Sequence, residues 1–515
     1  CKMKKKLILI FLVFVMLSVS AFGCGKKVEK GGVIPLDVDL NNKPQMNVLL
    51  QATGFTNDQV NSDPNAKLID ELTGYKTTYA QLPATEDISS VNLALVNRSP
   101  YNVMRVTKTQ YNALLANDAL LDIKPALEKF GKDMLADINE YSWGVVTKGD
   151  GIYGIPEGGA PIKGQENVTD CIVFRKDLLW ENGLDIPSTR DEFTEILRFF
   201  KQKYGTEYHP FTFNKNHSLI APIATSFDIY QEWSNVNGKY TFYLEHPNYP
   251  AYMEYMTGLM NEGLIDLDVT TQDNIGAMNK MGRGMAVAYA GRVFEMQGII
   301  DTMKANNLLF GDIEDVFGVV GGFLDSKGEV HTYHTGGYTY VNVIPKYMYE
   351  TAAYTIDYLN KKIIDENFRR IYIGEKDVHY RVTNNGYEPI LPAFEEKAIS
   401  GFFLTGSNQR TDYEYWRCRV ANDIYRPFSI QLNKNADEEG VYNPLRFTNY
   451  LEFYDTVGAN IEKDARSAAV TMMFVEKSQA RYNDVVKKWR NDGGAKGTEE
   501  LNAWCKKNWE GKVKV

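Results

Sequence analysis

Three constellations in this chain hold residue types that do chemistry. Gly149-Asp150-Gly151-Ile152-Tyr153-Gly154 spells G-x-G-x-x-G, the spacing by which a strand-to-helix turn cradles a dinucleotide pyrophosphate. That motif works only when its last glycine leads into a helix. Here Ile155-Pro156-Glu157-Gly158-Gly159 follows, which predicts a hairpin turn running into an extended segment. His331 and His334 invite a metal, but residues three apart on a strand point to opposite faces and no His or Cys cluster supplies further ligands; no metal and no cofactor are expected. Asp266 with Asp268, and Glu395 with Glu396, are acids of the type that glycosidases pair. That chemistry needs two carboxyls facing each other across a sugar, about 5 to 10 Å apart, and solvated acids are the default reading in an acidic chain. Serine and cysteine nucleophile signatures are missing, and no catalytic activity is expected.

Composition narrows the partners. There are 57 basic and 66 acidic residues, a net charge of −9. Residues 1 to 23 contain four lysines and no acid, so the remainder holds 53 basic against 66 acidic residues, or −13. Such a surface repels phosphate backbones and argues against nucleic acid. With 32 Tyr, 25 Phe and 7 Trp, the chain is rich in rings that could stack on a sugar, although most must be core. Five cysteines, Cys1, Cys24, Cys171, Cys418 and Cys505, are too few for a disulfide framework, and Cys171 reads as a small buried hydrophobe.

Three lysines (Lys4, Lys5, Lys6), an apolar run from Leu7 to Leu17 and small residues before Cys24 predict an export signal over residues 1–23 with lipid attached at Cys24. The run is short for a membrane span. Ala21-Phe22-Gly23 would also serve as an ordinary cleavage site, which leaves a freely secreted chain as the alternative. Residues 24–44, rich in Gly and Lys at their start, read as a flexible tether.

Several elements are needed to position any site. Met46 to Leu50 and Tyr75 to Gln81 read as strands around a helix from Pro64 to Leu72 closed by Gly74, a βαβ unit that predicts a mostly parallel α/β sheet. Thr189 and Glu192 form a capping box for a helix burying Phe193, Ile196, Leu197 and Phe200. Further helices are predicted at about Tyr249 to Glu262, stopped by Gly263, and Tyr347 to Phe368.

An ordered set of motifs then stands out. Asp150-Gly151-Ile152-Tyr153-Gly154-Ile155-Pro156, Val173-Phe174-Arg175-Lys176-Asp177-Leu178-Leu179 and Asn182-Gly183-Leu184-Asp185-Ile186-Pro187 precede the capped helix. Trp233 stands ahead of Asn237-Gly238-Lys239-Tyr240, and Gly282-Arg283-Gly284-Met285-Ala286-Val287, Val343-Ile344-Pro345-Lys346 and Gly374-Glu375-Lys376-Asp377-Val378-His379-Tyr380 follow. Over roughly residues 45 to 470 the chain resembles the extracellular solute-binding proteins of family 1, substrate receptors of ABC sugar importers, in particular their large Gram-positive lipoprotein members. It departs from them at Leu178, where many have Trp, and at Ser99-Pro100-Tyr101-Asn102-Val103-Met104 near the family's cleft.

The resemblance implies an α/β, two-lobe, periplasmic-binding-protein-like fold of type II with the ligand cleft between the lobes. It places lobe 1 at 45–152 and 331–388, and lobe 2 at 153–330 and 389–515. It also implies a monomer on the outer face of the cytoplasmic membrane, which takes a carbohydrate, in oligosaccharide form, and hands it to a membrane permease. By the same analogy Trp233 is the first choice for a ring stacking on sugar, and Arg292 for a planar donor to vicinal hydroxyls or a carboxylate. Tyr153, Glu157, Tyr338 and Trp416 are secondary candidates, and Arg175 is expected in a structural ion pair. A secreted carbohydrate-active enzyme and a sensory sugar-binding lipoprotein are the alternative readings.

Overall fold

The computed structural model describes residues 32–51, 56–82, 88–138, 140–159, 168–334, 337–384, 386–396, 415, 418, 425–433 and 440–509. The signal segment with Cys24, and Trp416, lie outside the described residues. The strands that build the two main sheets and their connections are, in chain order, β1 (Met46–Gln51), β2 (Thr77–Leu82), β3 (Val103–Thr107), β4 (Ile155–Gly159) and β5 (Asp170–Arg175). They continue with β6 (Phe211–Thr212), β7 (Ala288–Arg292), β8 (Phe317–Val320), β9 (Thr332–His334), β10 (Gly337–Val343) and β11 (Gly440–Tyr442).

The first sheet has the order β2-β1-β3-β10-β4, parallel through β2, β1 and β3 and antiparallel at β10 and β4. Its residues alternate between two apolar layers. Met46, Val48 and Leu50 face the layer built with the helix Ala352–Ile363, while Leu49 joins Met104, Val106 and Leu114 on the other side. A sheet covered on both faces needs near-continuous apolar strands, which is why this one reads as Met-Asn-Val-Leu-Leu. The expected βαβ unit is present, with β1 and β2 parallel around the helix Pro64–Thr73, which Gly74 terminates at φ +73°.

The second sheet, β8-β5-β7-β6, follows the same logic. Ile172 and Phe174 of β5 point into one core, Cys171 and Val173 into another. Against it lies the helix Arg190–Tyr204. Thr189 Oγ1 accepts the Glu192 N–H at 3.1 Å, Glu192 Oε2 accepts the Thr189 N–H at 3.1 Å, and Phe193 meets Phe174 and Phe211 edge-on at 5.8 and 5.1 Å.

Three boundaries sit later than the motifs place them. The chain does not leave the first sheet at residue 153, because β4 pairs with β10; the first strand of the second sheet begins at Asp170. The return comes after His334 and not at 331, since Tyr333 is buried in the core of the second lobe and donates its hydroxyl to Ile229 O at 2.9 Å. The last crossing falls beyond 388, between 418 and 428. Phe394, Tyr415 and Cys418 pack in the first lobe, whereas Phe428 and Leu432 pack in the second. The predicted helix from Tyr347 to Phe368 is also interrupted. Ile364 turns out to ψ 128°, splitting it into Ala352–Ile363 and Asp365–Ile373, each burying its own apolar stripe.

The C-terminal part binds both lobes. Leu445, Phe447 and Leu451 enter the core of the second lobe, and Trp509 packs on Phe447 at 5.1 Å. From the first lobe, Lys108 Nζ donates to Leu445 O at 2.9 Å and Asn112 Nδ2 to Asp455 Oδ1 at 2.6 Å.

Candidate functional site

A cavity of about 170 Å³ lies at the foot of β9 and β11, where the chain passes between the lobes. Antiparallel register sets Asp170, at the start of β5, directly opposite Arg292, at the end of β7. Arg292 Nε is 3.9 Å from Asp170 Oδ1, and the arginine side chain is 56% exposed, so its guanidinium keeps donors free for a guest. Burial pushes the Asp170 carboxyl above its usual range, while Arg292 and Arg446 pull it back. Arg446 reaches the same cavity from the segment that joins the lobes.

The turn holding Arg292 is tight. Its backbone N–H donates to Glu295 Oε2 at 2.8 Å, and Glu295 also accepts from Tyr289 Oη at 2.7 Å and from Asn274. A Cβ on Gly291 would stand 2.4 Å from Glu295 Oε2 and 2.5 Å from the Tyr289 ring, so only glycine fits between them. On the opposite wall, Gln231 Nε2 donates to Val441 O at 3.0 Å and His334 O at 3.3 Å, tying β9 and β11 to the cavity. Glu232 accepts from Arg466 and Asn443; burial opposes its charge, but Arg466 outweighs it and holds the carboxyl below the usual range. Burial likewise lowers His217, a further lining residue, so its ring stays neutral near pH 7. The lining is polar, rich in planar donors and fixed carboxylates, and suited to a hydroxyl-bearing guest.

Of the predicted residues whose side chains are described, Arg292 alone lines the cavity. Trp233 is corrected: its ring is 1% exposed, packed against Phe242 at 5.3 Å and Trp489 at 6.5 Å, with its N–H directed to Glu462 Oε2 at 3.4 Å. Neighbours on an extended chain point to opposite sides, so Glu232 faces the cavity and Trp233 the core. Glu157 is likewise committed elsewhere, accepting from Arg105 Nε at 2.8 Å and Asn342 Nδ2 at 2.7 Å, while the Arg105 guanidinium lies 3.7 Å over the Tyr340 ring. That cluster cross-links β3, β4 and β10. Tyr153 is half-buried in the first lobe, its N–H bonded to Val146 O at 2.9 Å and its ring beside Gly151. Tyr338 sits on β10 opposite Gly158. Arg175 makes the expected structural pair, bidentate to Asp177 at 2.6 and 2.8 Å.

The other constellations resolve structurally. Gly149 turns a hairpin at φ +60° between Thr147–Lys148 and Gly151–Ile152, and no helix follows. Asp266 and Asp268 both bind Lys280, at 2.8 and 2.6 Å, so neither is a free acid awaiting a sugar. Asp170, Gln231, Glu232 and Arg446 are the site residues that sequence reasoning missed. Only the position of Asp170, immediately before the apolar run from Cys171, hinted at a strand-end carboxylate.

This fold, two sheets each covered on both faces and joined where the chain passes between them, recurs in solved structures. The Streptococcus pneumoniae ABC-transporter substrate-binding protein FusA, in complex with kestose, matches at a TM-score of 0.66 over 90% of this chain and 99% of its own, with 16% identity. The chain has the two-lobe fold of the extracellular solute-binding proteins. Among curated relatives, lipoprotein LipO of Bacillus subtilis is 20% identical over 85% of this chain and 88% of its own. The polygalacturonan/rhamnogalacturonan-binding protein YtcQ of the same species is 21% identical over 64% of this chain and 66% of its own. No family model matches the chain. Among the described residues, no helix is long and apolar enough to cross a membrane.

Proposed function

We propose that this protein is the substrate-binding component of an ABC importer, binding a carbohydrate, in oligosaccharide form, between its lobes and delivering it to a membrane permease. The observation that carries the reading is the cavity itself. Arg292, Arg446, Asp170 and Gln231 converge on the second lobe beside the segments that lead to the first, so a guest held there needs only the approach of the first lobe to be enclosed. A ligand favours the closed form only by the contacts it gains there, so a site at the junction converts binding into closure. Two structural and sequence relatives carry sugar ligands in their names, kestose for FusA and polygalacturonan or rhamnogalacturonan for YtcQ, which supports the carbohydrate class. Lipidation at Cys24 would hold a monomeric receptor at the outer face of the cytoplasmic membrane, next to its permease.

A thermal-shift screen of the mature protein against neutral oligosaccharides, oligogalacturonates and peptides tests this, because a ligand bound only by the folded state raises the melting temperature. A rise with one sugar class is expected. Arg292→Ala should weaken that ligand at least about tenfold, the loss of a charge-assisted hydrogen bond, while leaving the unliganded melting temperature unchanged. Release of reducing ends from the oligosaccharides would overturn the reading in favour of an enzyme.

A further inference from the structure

We infer that Asp325, Glu329 and His331 form a binding site for a divalent transition cation of the zinc type, separate from the cavity at the lobe junction. The sequence pairs His331 with His334, but these two part company: His334 lies buried on β9, while His331 turns toward the hairpin that precedes it. His331 Nε2 stands 3.5 Å from Asp325 Oδ2 and 3.6 Å from Glu329 Oε2, and one donor atom from each residue lies within 4.8 Å of the others. An N–H···O bond would close to about 2.7 to 3.2 Å. Ligands about 2.0 to 2.1 Å from a tetrahedral ion sit about 3.4 Å apart, close to the two distances from His331, and the two carboxylates lie within 4.8 Å of each other.

The carboxylate at the centre is held in place as a ligand would be. Asp325 has no exposed side-chain surface; its Oδ1 accepts the N–H groups of Lys327 and Glu329 at 2.8 and 2.9 Å, and its Oδ2 accepts the Tyr230 hydroxyl at 2.6 Å. Tyr230 also packs its ring 4.3 Å from the His331 imidazole. Outer groups that orient a ligand in this way raise metal affinity. The tight turn around Gly328, at φ +80°, accounts for Asp325 by itself. It does not account for the His331 imidazole standing between that carboxylate and a second one, Glu329, with its Nε2 facing both. Glu329 is 61% exposed and His331 22%, which leaves an entry path and room for water in a fourth position. One imidazole with two carboxylates suits zinc, nickel or cobalt better than calcium, which takes six or more oxygens. Since His331 leads directly into β9, a bound ion would staple the hairpin 324–330 to the root of the last strand of the second lobe before the chain returns to the first.

Titrating ZnCl2 into tag-free, EDTA-stripped protein at pH 7.5 by calorimetry, without sugar, tests the site. One equivalent is expected to bind, at least about tenfold more weakly in both Glu329→Gln and His331→Gln, with the metal-free circular dichroism melts unchanged. Cobalt should give a visible absorption band that His331→Gln abolishes. Failure of the wild type to bind one equivalent saturably, or binding by either variant as tight as that of the wild type, would overturn the proposal. Neither result bears on the carbohydrate reading.

Discussion

Single residues in this protein divide by what surrounds them more than by what they are. Family resemblance points to Trp233 and Arg292 alike, yet one is sealed in a cluster of aromatic rings and the other stands in the cavity. Trp233→Ala is therefore expected to cost roughly 3 to 5 kcal/mol of stability, read as a lowered urea midpoint; a stable variant would return the ring to the ligand site. Lys362 shows the opposite kind of burial. It is 2% exposed on the helix Ala352–Ile363, lying 5.1 Å from the Tyr358 ring. Burial drives its ammonium down to about 7, with Glu157 pulling weakly upward. An unfolded lysine titrates near about 10.4. Between those values the unfolded chain binds the extra proton, so stability rises with pH across this window and the full penalty stands below pH 7. Lys362→Met should be more stable than the parent at pH 7, with the gap narrowing toward pH 10. Urea denaturation at pH 7 and 9 checks this; a gap that does not change would refute it.

At the level of elements, strands deliver site residues through their register. Asp170 and Arg292 face each other because β5 and β7 run antiparallel with that pairing, and the turn after β7 aims the guanidinium. Gly291→Ala should therefore act on both counts. Its Cβ would displace Glu295 or Tyr289, lowering the melting temperature and weakening ligand binding together, whereas Arg292→Ala weakens binding alone. Much of this level was legible in advance. The capping box at Thr189, the stop at Gly263 and the βαβ start depend on local spacing, which neighbouring residues in the chain decide. The break at Ile364 was not, because the two helices it separates continue the same apolar periodicity, and only their packing on different neighbours requires a bend.

For the molecule as a whole, the decisive feature is the segment 440–458. It pairs with β9 at the junction, fills the core of the second lobe through Leu445 and Phe447, and receives Lys108 and Asn112 from the first. Such a three-way connection allows hinge motion while holding the cavity walls in register. Saturating ligand should reduce the radius of gyration in small-angle X-ray scattering. An unchanged radius would mean that binding does not close the lobes, and the import mechanism proposed here would lose its signal to the permease.

The amino-acid sequence by itself determined the mixed α/β class and the order of the main elements, because apolar periodicity and caps are properties of nearby residues; the two-lobe, carbohydrate-receptor expectation came from the family its ordered motifs resemble. Tertiary structure alone decided where the lobes exchange chain, that Trp233 is core, and that Asp170, Glu232, Arg292 and Arg446 meet. Residues hundreds of positions apart come together only through sheet register and packing, and a stretch of sequence holds no record of which face of a strand will end up against water.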